Sequence, residues 1–251
     1  MDTFEKVRGF LYNQPINERD IIVFKNVYAL GDLLLIPKIY GCCLWDEHPY
    51  YRANINAYRN SVLAIYEELR RDKTEYIPNV NRIQQSVNTF IQRNSSTHKM
   101  NDLIEFVKRD DVLCVHLRSG DYGDVEDEYR EIIKKLQEEY KYVIIMCGAH
   151  HYHQHEILIK SVNSLFNENK NIYISIEDPD THMAMFHSCK NLLLHKNGFT
   201  VLAAFVFTGN KLYISNKIFN INHDFSKEDG NRMWIDYIKP GNHIFKEIIY
   251  V

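Results

Sequence analysis

Glycine and proline are scarce in this chain, 10 and 6 of 251 residues, and no internal repeat or low-complexity tract runs through it. Its five cysteines show no CxxC spacing, two of them (Cys42 and Cys43) are adjacent, and the total is odd. That pattern argues against a structural disulfide and reads as reduced thiols in a cytosolic protein. No apolar stretch approaches the roughly 20 residues that span a bilayer. The longest runs, Val143–Cys147 and Val201–Phe207, have the length of buried strands or helices. The opening MDTFEKVRGF is charged and lacks the apolar segment of a signal peptide. There is no basic excess either: 30 Lys and Arg face 33 Asp and Glu, a formal net charge of -3. This argues against a nucleic-acid partner, although net charge says nothing about a single cleft.

What is present is an ordinary globular composition, 45% hydrophobic and 25% charged. That suffices for one generous core or two small ones. The polar stretch NSSTHKMN (Asn94–Asn101) is the best linker candidate, with a short helix at Asp102–Lys108 after it. Beyond it the pattern alternates. Apolar runs at Val112–Leu117, Tyr142–Cys147, Ile172–Ile176, Asn191–His195 and Lys211–Ser215 predict five strands. Helical spacing at Glu126–Tyr140, Glu156–Phe166, Thr181–Lys190 and Phe199–Thr208 predicts the helices between them. Alternation of this kind predicts a parallel, doubly wound sheet covered on both faces. The first half is less regular: a strand at Ile21–Lys25, then helices at Leu33–Leu44, Tyr58–Arg71 and Ile83–Arg93. The division predicts an α/β domain over residues 1–100, a Rossmann-like ligand-binding domain over 101–226, and a C-terminal helix (Lys227–Ile238) and tail, 227–251, packing back across the junction.

Ligands of doubly wound sheets bind at the carboxyl ends of the strands, so the residues after each strand carry the chemistry. The first such group is His116-Leu117-Arg118-Ser119-Gly120-Asp121-Tyr122. An Arg offers a planar fork of donors that matches phosphate oxygens two at a time. The glycine lets the backbone approach a ligand closely. The same residues also suit an Arg paired with Asp121 at the sheet edge. The second is His195-Lys196-Asn197-Gly198-Phe199-Thr200, a glycine-containing loop leading into a helix. A helix start with a lysine beside it is an anion site, and Thr200 can cap the helix or bond a phosphate. It is equally an ordinary strand-to-helix turn. The third is the turn Asn26 to Pro37, containing Tyr28, Gly31 and Asp32. Asp32 there is either a helix cap or a carboxylate base. The fourth pairs Gly148 and His150 with Glu177 and Asp178, which follow adjacent predicted strands, where a carboxylate can accept hydrogen bonds from hydroxyl or amino groups of a ligand.

Two features point elsewhere. His150, His151, His153 and His155 are dense enough to raise the question of zinc, but a solvated loop entering a helix explains them better. Asp178-Pro179-Asp180 is formally the DxD of metal-dependent GT-A glycosyltransferases.

The first motif resembles the His-x-Arg-Arg-x-Asp signature of the α1,2-, α1,6- and protein O-fucosyltransferases, with Arg118 at the first arginine, His116 and Asp121 at the other fixed positions, and Ser119 where the second arginine stands. Asn191–Ser215 resembles the late part of the donor domain in the same family. The Gly31-Asp32 turn with Pro37 is similar to that of bacterial heptosyltransferases. These resemblances imply a GT-B-like fold of two Rossmann-like domains, the N-terminal one reduced and helix-rich. They imply a metal-independent inverting transfer of fucose, xylose or a similar sugar from a GDP- or UDP-linked donor to a glycan or polysaccharide. Arg118 would hold the β-phosphate, and Asp32 or Asp121 would be the base. His116, Gly148, His150, Glu177, Asp178 and the loop 195–200 would lie around the donor, and Tyr28, Gly31 and Asp32 on the acceptor side. No metal, no other cofactor and no stable membrane insertion are implied. The setting would be the cytoplasm of a bacterium, or of a host cell if the source is a virus. Other classes compatible with the residues are a polysaccharide pyruvyltransferase-like enzyme, a GT-A transferase and a non-catalytic glycan-binding protein.

Overall fold

A computed structural model describes residues 2–17, 19, 84, 87–92, 97–117, 127–147, 155–166, 171–177, 179–195, 203–204, 207–214 and 247–251. Six short runs in it form one sheet: β1 (Val112–His116), β2 (Tyr142–Met146), β3 (Ile172–Ser175), β4 (Asn191–Leu194), β5 (Lys211–Ile214) and β6 (Glu247–Tyr250). Their order across the sheet is β3-β2-β1-β4-β5-β6, and every neighbouring pair is parallel. In β1, β2 and β4 each residue is buried. Parallel strands lie between two helical layers, so both faces must be apolar.

The alternation of side chains divides the core in two. Val112, Cys114, Ile144, Met146, Leu192 and Leu194 face one layer. Leu113, Val115, Val143, Ile145, Leu193 and Tyr213 face the other. On the first face lie α1 (Thr3–Val7), α2 (His98–Val107) and α5 (Pro179–Ser188). On the second lie α3 (Asp127–Leu136), α4 (His155–Asn163) and a 3-10 turn, Ser164–Phe166. In α3 the apolar stripe is Tyr129, Ile133 and Leu136, and Asp127 and Glu128 open the helix while Lys134 and Lys135 close it. Those charges match the helix dipole at both ends. In α5 a proline occupies the first helical position, where its missing N–H costs nothing. Met183, Ala184, Met185 and Phe186 are fully buried there. The turn before β5 requires a glycine. A Cβ on Gly209 would overlap the carbonyl oxygen of Cys189 and lie 2.6 Å from the Phe207 ring.

The predicted α/β class and five of the strands are present within a residue or two of their expected ends. Three expectations are corrected. The polar stretch 94–101 is not wholly linker, because α2 begins at His98. Met100, Leu103, Ile104 and Val107 are buried at i, i+3, i+4 and i+7, so Met100 anchors a first turn that composition alone reads as loop. The tail, expected to pack back across the junction, ends in a strand that was not expected: Glu247–Tyr250 forms a sixth parallel strand beside β5, with the Val251 N–H donating to the Ile214 carbonyl at 3.1 Å.

The third correction concerns the first 17 residues, expected in a separate domain but folded onto the sheet. Asp2 caps α1 by accepting from the Phe4 N–H. Val7 and Leu11 enter the first core. Tyr12 then pairs antiparallel with Ile174 at the outer edge of β3, donating at 2.9 Å and accepting at 2.7 Å. Ile16 enters the second core, and its N–H and carbonyl each bond the Asn163 side chain at 2.8 Å. The segment therefore wraps from one face around the edge strand to the other, which covers an edge otherwise open to strand pairing. Arg109 locks its start, reaching Asp111 through Nε (2.8 Å) and Nη2 (2.7 Å) and Asp2 through Nη1 (2.6 Å).

Residues 87–92 are helical, as expected for Ile83–Arg93. The predicted strand Ile21–Lys25, the helices Leu33–Leu44 and Tyr58–Arg71, and Lys227–Ile238 lie outside the described residues. So does most of the first half, on which a second Rossmann-like domain would depend. Among the described residues, no helix is long and apolar enough to cross a membrane.

Candidate functional site

The sheet order reverses between β1 and β4: the chain builds β1, β2 and β3 outward on one side, then returns to β4, β5 and β6 on the other. In a doubly wound sheet the crevice outside the carboxyl ends of the two strands at such a point is where ligands bind. Here β1 and β4 pair with Cys114 beside Leu192 and Val115 beside Leu193. Continuing that register sets His116 level with Leu194, and Leu117 level with His195. The two strands that lead into the Arg118 and Lys196 loops are thus hydrogen-bonded neighbours.

His116 closes β1 and is buried on the first face, with its ring edge-on to Phe186 of α5 at 5.7 Å. His195, buried immediately after β4, lies on the second face, stacked on Tyr129 of α3 with centroids 4.2 Å apart. The Tyr129 hydroxyl donates to the His116 carbonyl oxygen at 2.7 Å. Full burial raises the Tyr129 pKa well above the usual phenol value, because the phenolate would be desolvated. The hydroxyl therefore remains a neutral donor.

At the end of β3 the Ser175 hydroxyl and His182 Nε2 lie 3.0 Å apart. Ser175 is fully buried, so the pair ties β3 to the first turn of α5 and does not present a nucleophile. Glu177, predicted to lie beside the nucleoside, forms an ion pair with Lys99 of α2 at 2.6 Å. Lys99 also sits over the Phe10 ring at 5.4 Å. That carboxylate is thereby engaged in joining the strand end to α2.

Of the residues singled out from the sequence, the structure brings His116 and His195 to the same strand pair and Glu177 to the end of β3. Tyr28, Gly31, Asp32, Arg118, Asp121, Gly148, His150, Asp178, Lys196, Asn197, Gly198, Phe199 and Thr200 lie outside the described residues. Tyr129, Ser175, His182 and Lys99 were not anticipated. Tyr129 reads in sequence as one more apolar position on a helix stripe. The only signal for more is that a buried tyrosine needs a partner for its hydroxyl. Cys114, Cys147 and Cys189 are free and buried. Among the described residues, no group of three or more His, Cys, Asp or Glu is placed to hold a metal ion.

No family model, no curated protein and no solved structure matches the chain.

Proposed function

We propose that the chain is a metal-independent, inverting glycosyltransferase whose nucleoside-diphosphate sugar lies across the tips of β1 and β4. The observation that carries this reading is the reversal of strand order at that pair. Both of its outgoing loops have the residues a diphosphate requires: Arg118 after β1, and Lys196, Gly198 and Thr200 after β4. Arg118 is one peptide bond beyond Leu117, and Lys196 one beyond His195. Positive charge and backbone N–H groups there would offset the charge that grows on the departing nucleoside diphosphate. A second, N-terminal Rossmann-like unit would carry the glycan acceptor in a GT-B arrangement, with Asp32, or failing that Asp121, accepting the proton of the attacking hydroxyl. The enzyme would work in the cytoplasm, on a growing glycan or polysaccharide.

Calorimetric titration with GDP, UDP, ADP and CDP, each with and without Mg²⁺, tests the reading. One nucleotide binding equally well in EDTA is the expected result. Binding that requires Mg²⁺ would favour metal-dependent transfer, and binding of none would leave no nucleotide enzyme to propose.

A further inference from the structure

We draw no further inference here: the strongest candidate, the side-chain cluster of Cys114 in β1 and Cys189 between α5 and β4, whose thiols meet in the first core, carries nothing, because both residues are fully buried and burial holds the Cys189 thiol well above its ordinary value, so that the pair offers an oxidant no accessible thiolate.

Discussion

Replacing Phe4 by alanine should destabilise the whole sheet domain, although Phe4 lies more than 100 residues from the strands it touches. Its ring stacks on Tyr142 at 4.6 Å, meets Tyr173 edge-on at 5.2 Å and tilts against Phe106 at 5.7 Å. Tyr142 opens β2, Tyr173 is in β3 and Phe106 is in α2, so one side chain joins two strands and a helix. A fully buried Phe→Ala change costs about 3–5 kcal/mol. Phe4 is only partly buried, which brings the figure to about 2–3 kcal/mol. In a domain of this size each kcal/mol moves the melting temperature by about 2–4 °C, so a fall of about 4–12 °C follows. Scanning calorimetry and urea titration of the full chain measure it. The transition should remain single, because the segment shares one core with the sheet. A change below about 0.5 kcal/mol, the ordinary range for surface substitutions, or a separate early transition for the N-terminal segment, would refute the claim that residues 2–17 belong to this fold.

Two further outcomes follow from charged and sulfur groups. Hydrogen bonds from the Arg109 guanidinium hold the Asp111 carboxyl below its ordinary value. Its contribution is therefore present above the unfolded carboxylate value, roughly 4, and is lost as pH falls through the lower folded value. Asp111→Asn should flatten the loss of stability across that acid window in urea midpoints taken at successive pH values. Both side chains are partly exposed, so solvent screening keeps the effect near or below about 1 kcal/mol; parallel curves for variant and wild type would contradict it. Cys114, Cys147 and Cys189 are buried, and burial pushes the Cys147 thiol up to about 12. Native protein treated with iodoacetamide at pH 8 should carry no label at these three positions by peptide mass mapping. Labelling at the rate of the denatured chain would refute their placement.

The sheet was legible in the sequence because parallel strands buried on both faces leave unbroken apolar runs. Val112–His116 and Tyr142–Met146 could hardly be read otherwise. What escaped were elements whose signal is shorter than a period. Met100 stands alone among polar residues until the turn after it is counted. The run Glu-Ile-Ile-Tyr of β6 stands apart from the regular strand–helix alternation that marked the other five strands. The N-terminal wrap depends on Phe4, Val7, Leu11 and Ile16 meeting residues far along the chain, which no local pattern encodes. The motifs singled out in the sequence follow directly on β1 and β4, and the strand order makes the ends of those two strands neighbours. The Tyr129 bridge and the Ser175–His182 and Lys99–Glu177 pairs were illegible, because each joins elements through tertiary packing.

The account stands or falls on a diphosphate held where β1 and β4 end. Its most direct test is calorimetric titration of Arg118→Ala against wild type with whichever of the four nucleoside diphosphates the wild type binds. The account predicts an unchanged melting temperature without ligand and an affinity lowered by roughly tenfold or more, the loss of a charge-assisted contact. Wild-type affinity in the variant would contradict it.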